Sequence, residues 1–179
     1  MIVCAASIVA CAGYCVLTLR RAARSTPFAC TTLFRPPRPL LVTIENTHNR
    51  SGGRVFPRGD VGALAEAAHS RGLSLHVDGA RVWNASVATG TPPATLCGPV
   101  DSVSACFSKG LGAPVGSVLA GDKEFVTRAH RYRKMLGGGM RQAGILAGAC
   151  LHALDHHVAR LADDHDNARA LARALSVVD

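Results

Sequence analysis

The sequence predicts an α/β fold, a mostly parallel sheet flanked by helices, and three observations predict it. Short apolar runs at 40–44, 73–78 and 101–107 are separated by longer stretches with helical periodicity. Each run closes in polar residues (Glu45-Asn46, Asp78 and Ser108-Lys109), as strands do where an open sheet meets a ligand crevice. The first two runs enclose one helical stretch, and a strand–helix–strand unit of that length is a right-handed crossover between parallel strands.

Composition bounds the answer. A chain of 179 residues suits one domain with a real core, and 48% apolar with 18% charged residues marks it as globular. The net charge of +8 is uneven, because residues 1–39 hold Arg20, Arg21, Arg24, Arg35 and Arg38 with no acid, leaving +3 for the remainder. That modest excess lacks interleaved aromatics and argues against nucleic acid as a partner. Cys4, Cys11, Cys15, Cys30, Cys97, Cys106 and Cys150 show neither a CxxC pair nor a metal-ligand rhythm. They read as buried or incidental thiols in a reducing, cytoplasmic compartment, with no metal site.

The elements follow in order. Residues 2–19 carry no charge and run straight into Arg20-Arg21, just short of the roughly 20 residues of a membrane helix. Without a basic start the run is a poor signal peptide. Were it to span a membrane, the arginines would leave the rest of the chain cytosolic, the alternative to a fully cytoplasmic protein. Four prolines make 26–39 a linker. The chain thus divides into an apolar leader with a Pro/Arg linker over 1–39 and a folded domain over 40–179.

Strand 40–44 ends in a polar cluster, where Asn46, His48 and Asn49 either face a cofactor or cap the turn. Asp60 is the expected N-cap of a helix running to Ser70, with Leu64, Ala67 and Ala68 on one side and Gly72 as its stop. Strand 73–78 carries His76, expected in the core. Arg81 then enters the next helix, and Trp83 packs inside. After Pro92-Pro93, strand 101–107 shows Val103, Ala105 and Phe107 on its apolar face. The glycines at 110, 112 and 116 are spaced GxGxxxG, not as a dinucleotide fingerprint, and Pro114 stands where that motif's helix would begin. A strand over 115–120 follows. Next come a basic helix over 122–135, with Phe125, Val126 and Ala129 inward, and a glycine break at 137–139. A small-residue helix over 140–154 begins at Arg141, which could meet an anion. The last helix, 155–175, turns Leu161, Ala168, Leu171 and Leu175 inward and sets its His and Asp residues on a solvated face.

The chemistry gathers at two strand ends. Lys109 is one of only three lysines, with Lys123 and Lys134, and sits where strand 101–107 meets a glycine turn. A lysine there can form a Schiff base if its surroundings keep part of the amine neutral, although exposed loop lysines are commoner. Asp78 closes an apolar strand, an unusual terminus, and supplies the carboxylate that a pyridoxal phosphate site uses to keep the ring nitrogen protonated. Arg81, three residues on at the turn into the next helix, has a planar fork of donors that could pair with Asp78.

Four segments carry a family likeness: Glu45-Asn-Thr-His-Asn49, His76-Val-Asp-Gly-Ala-Arg81, Ser108-Lys-Gly-Leu-Gly-Ala-Pro-Val-Gly-Ser117 and Arg133-Lys-Met-Leu-Gly-Gly-Gly-Met-Arg-Gln142. In this order the chain resembles the low-specificity threonine aldolases over roughly 40–175, the middle of a family member. These are pyridoxal-phosphate lyases of fold type I, the aspartate-aminotransferase class. The resemblance implies part of that fold's large domain. It makes Lys109 the catalytic, cofactor-bearing lysine, with Asp78, Asn46 and His48 beside the cofactor and Arg81 on the substrate carboxylate. The implied reaction cleaves threonine or allo-threonine, as β-hydroxy-α-amino acids, to glycine and acetaldehyde in a homo-oligomer. The alternative is a catalytically inactive, aldolase-derived fragment, membrane-tethered or acting only within an oligomer. It follows from finding no counterpart, before 40, of the family's phosphate-binding residues and ring-stacking histidine, nor a second carboxylate-binding arginine towards 179.

Overall fold

The computed structural model describes residues 5–11, 14–20 and 39–177. One six-stranded sheet runs in sequence order through β1 (Ala5–Cys11), β2 (Tyr14–Arg20), β3 (Pro39–Glu45), β4 (Ser74–Gly79), β5 (Ser102–Cys106) and β6 (Ser117–Gly121). Its centre is parallel, β3 against β4 and β4 against β5, while β1, β2 and β6 join antiparallel. Most of the apolar run at 2–19 thus falls in paired strands, β1 and β2. Among the described residues no helix is long and apolar enough to cross a membrane. The expected linker lies outside the described residues except for Pro39, which opens β3.

Helix α1 (Arg58–His69) fills the β3–β4 crossover. Its N-cap is Pro57 rather than Asp60, which falls in the first turn. Proline fixes φ near the −59° found here and gives up an N–H that a helix start leaves unpaired anyway. Asp60 still places negative charge where the helix dipole favours it. Val61, Ala65 and Ala68 form the buried stripe and pack with Ile44, Phe56, Leu75 and Val77 against the sheet. Gly72, at φ +67°, turns the chain back into β4, a backbone that an L side chain rarely adopts.

Helix α2 (Val82–Thr89) and the single turn α3 (Pro93–Leu96) bury Val82, Ala85 and Leu96 against Ala105 of β5. Trp83 lies partly buried beside this cluster, stacks near Phe107 with centroids 6.0 Å apart, and donates Nε1–H to the Cys106 carbonyl at 3.1 Å. Strand β5 does not keep simple alternation: Ser102 and Ala105 are its buried residues. Ser102 tolerates burial because its hydroxyl meets His76 Nδ1 at 2.8 Å.

Helix α4 (Lys123–Met135) starts as expected, the Asp122 carboxylate accepting from Phe125 N–H at 2.7 Å. Beyond it α5 (Gly144–His156) begins four residues later than expected and α6 (Leu161–Leu175) six later. A third core cluster joins them to the segment after β5, through Leu111, Ala113, Ala153 and Leu161. Only Leu161 of the expected α6 stripe is buried. Leu171 and Leu175 stay 61% and 60% exposed, because no described element packs over that end of the helix. The histidines are not all solvated either. His157, between α5 and α6, is half-buried against the Leu111 carbonyl, and His165 reaches Asn84 of α2 at 3.2 Å.

Candidate active site

Three parallel strands bring their C-terminal ends to one edge of the sheet. In register, Glu45 of β3 stands beside Asp78 of β4, and Asp78 beside Ser104 of β5. Lys109 comes three residues after β5 ends, so the loop carrying it leaves that same edge.

Asp78 is exposed, and its Oδ1 accepts from Ala80 N–H at 3.1 Å, an Asx turn that fixes the carboxylate at the strand's end. Among the described residues its second oxygen has no hydrogen-bond partner. Behind it the chain is packed tightly, since a Cβ on Gly79 would stand 2.9 Å from the Ser104 carbonyl oxygen. On the strand before it, His76 stays largely neutral: burial lowers its pKa, and the Asp78 charge opposes this only in part.

Lys109 is also exposed and makes no ion pair among the described residues. Its carbonyl accepts from Gly112 N–H at 2.8 Å, closing a turn in which Gly112 takes φ +73°.

Arg81 precedes α2, and its guanidinium lies 4.0 Å from Glu45 Oε1. The ion pair expected with Asp78 is therefore made, loosely, with Glu45. Arg81 also lines an open cleft of about 310 Å³ shared with Thr47 of the β3 loop, Asn84 of α2, and His165 and Arg169 of α6. Of the five predicted site residues, it alone lines this cleft.

Asn46 and His48 are buried and serve the loop itself. Asn46 donates its backbone N–H to the Asp78 carbonyl at 2.9 Å, and its Oδ1 accepts from Phe56 N–H at 3.1 Å. His48 meets the Ser51 hydroxyl at 2.5 Å and stands 3.7 Å from Glu45. Their hydrogen bonds hold the loop that supports Asp78. Glu45, Asn84, His165 and Arg169 were not singled out as site residues. The last two arrive from a helix more than eighty residues away, and no local pattern announces such a meeting. Among the described residues, no group of three or more His, Cys, Asp or Glu could hold a metal.

This fold is that of the threonine aldolase structures. A Listeria monocytogenes protein ascribed to the L-allo-threonine aldolases superposes with TM-score 0.69 at 27% identity, over 73% of this chain and 36% of the other. The Leishmania major threonine aldolase, 21% identical, shares the fold at TM-score 0.69 over 81% of this chain and 43% of its own. The Beta-eliminating lyase family matches residues 28–179, and the chain belongs to that family. It is 51% identical to the low-specificity L-threonine aldolase of Escherichia coli K12 over 77% of this chain and 40% of that protein. It is 47% identical to low-specificity L-threonine aldolase 1 of Arabidopsis thaliana, over 78% of this chain and 39% of that protein. The chain thus spans about two-fifths of the length of the curated relatives it matches.

Proposed function

We propose that residues 40–179 form part of the large domain of a pyridoxal-phosphate-dependent lyase that cleaves threonine or allo-threonine to glycine and acetaldehyde. One observation carries the reading. Among the described residues, Asp78 near the end of β4 keeps one carboxylate oxygen without a hydrogen-bond partner, and Lys109, just after the neighbouring parallel strand β5, makes no ion pair. That donor set fits pyridoxal phosphate, whose ring nitrogen needs an anion and whose aldehyde needs an amine.

When bound, the cofactor supplies an electron-accepting ring that makes scission of the substrate Cα–Cβ bond feasible. Lys109 would hold it through its side-chain amine. Asp78 would keep a proton on the ring nitrogen, with its carboxylate oriented by the Ala80 N–H. Arg81 offers a planar fork to the substrate carboxylate, and its 4.0 Å spacing from Glu45 restrains it without satisfying all five donors. Asn46 and His48 act from behind, holding the loop on which Asp78 depends.

Support for a homo-oligomer comes from the apolar side chains left exposed at Met135, Leu136, Ile145 and Leu151. A cytoplasmic setting agrees with the free thiols of Cys97, Cys106 and Cys150. The test is to supply the purified chain with pyridoxal phosphate and threonine and to measure glycine and acetaldehyde. The reading expects Lys109-dependent formation of both, and cleavage that persists in Lys109→Ala refutes it.

A further inference from the structure

The segment after β5 is closed by several backbone bonds. Phe107 N–H donates to the Gly116 carbonyl, Ala113 N–H to the Phe107 carbonyl, and Gly112 N–H to the Lys109 carbonyl. The Leu111 carbonyl points the other way, to a side chain 46 residues on: His157 Nδ1 lies 2.6 Å from it. A carbonyl oxygen only accepts, so Nδ1 carries a proton and donates it to the bond. His157 is itself held, as the C-cap of α5, by its N–H on the Ala153 carbonyl at 2.9 Å. Four residues later Leu161, fully buried, presses on the same turn; a Cβ on Gly110 would come within 2.7 Å of its Cδ2. The α5–α6 junction therefore grips the turn on both sides of Leu111, two residues from Lys109.

We propose that His157 is a positioning residue for Lys109. Its Nδ1–H latches the Leu111 carbonyl and so fixes the turn that presents the lysine. This rests on the reading of Lys109 as the cofactor lysine, but the latch can be measured without turnover. A turn with three glycines within seven residues has little stiffness of its own, and one strong bond at its middle changes how often it opens.

The experiment compares the full chain with His157→Leu, His157→Gln and the neighbouring control His156→Leu. Three quantities are read: hydrogen exchange of residues 107–113, borohydride trapping of pyridoxal phosphate on Lys109, and the wild-type His157 tautomer by nitrogen NMR. Leucine should raise exchange in 107–113 about tenfold, the weight of one lost hydrogen bond, while α1 and β4 stay protected. It should also slow Lys109 trapping several-fold. Glutamine, whose amide can donate to the same carbonyl, should restore both, and the control should leave both unchanged. Unchanged exchange in the leucine variant, or a glutamine variant as loose as leucine, overturns the latch. Should the leucine variant not fold, the ring nitrogens decide: a protonated Nδ1 is expected, and an Nδ1 without a proton overturns the proposal. Absence of any wild-type Lys109 adduct would instead sink the cofactor reading and leave exchange to judge the latch alone.

Discussion

Glu45 and Asp78 end neighbouring parallel strands in direct register, and the residue after Glu45 donates its backbone N–H to the Asp78 carbonyl at 2.9 Å. Registered residues of adjacent strands project to the same face, so two carboxylates share one edge of the sheet. Arg81 lies 4.0 Å from Glu45, and no ion pair joins it to Asp78. Asp78→Asn should therefore cut kcat for threonine by about a hundredfold, the scale of losing one preorganised charge contact. Glu45→Gln should act mainly through Arg81 and raise KM. Comparable kcat losses from both changes would contradict this division of labour.

Arg81→Lys keeps the charge and loses the fork. A single ammonium cannot reproduce two parallel hydrogen bonds to a carboxylate, so KM for threonine should rise about tenfold with kcat nearly unchanged. Steady-state kinetics on the two proteins checks it, and an unaltered KM would remove Arg81 from substrate binding.

Gly79 is a steric prediction. A methyl group there would lie 2.9 Å from the Ser104 carbonyl and 3.0 Å from Val103 Cγ2, both held in the sheet. Gly79→Ala should destabilise the fold by about 1–3 kcal/mol, read from urea unfolding. Gly144, with nothing within 4 Å of its added Cβ, is the matched control and should tolerate alanine.

His76 sets a pH dependence. Burial is the larger cause and lowers its pKa from 6.5, with the Asp78 charge and the Ser102 bond opposing. The unfolded chain therefore takes the proton first. The histidine's contribution is fully present above about pH 6.5 and is lost as pH falls from there through the folded value. Urea midpoints measured between pH 8 and 5 should decline less in His76→Gln than in the original chain. Equal declines would mean that another group sets this window.

The strands and the order of the site residues were legible in the sequence because they depend on local pattern. Apolar runs closed by Glu45, Asp78 and Ser108-Lys109 marked three parallel strands and their functional edge. The start of the basic helix at 122 was legible, and there the Asp122 carboxylate accepts from an amide three residues away. Non-local effects were not legible. Asp60 lost the cap position because Pro57 was already set for a helix start. Ser102 looked like the polar face of β5 and is buried because His76 on the next strand satisfies it. Of the stripe expected on α6 only Leu161 is buried, and Leu171 and Leu175 find no cover among the described residues. His157 looked like a surface residue because the Leu111 carbonyl it serves is far away in sequence.

The central claim is that Lys109 carries pyridoxal phosphate. The purified chain should be incubated with the cofactor, reduced with borohydride and digested, alongside Lys109→Ala and Lys123→Ala. One stable phosphopyridoxyl adduct is expected, located by mass on the peptide containing Lys109, lost in Lys109→Ala and kept in Lys123→Ala. An adduct spread evenly over Lys109, Lys123 and Lys134, or one that survives Lys109→Ala undiminished, would contradict it.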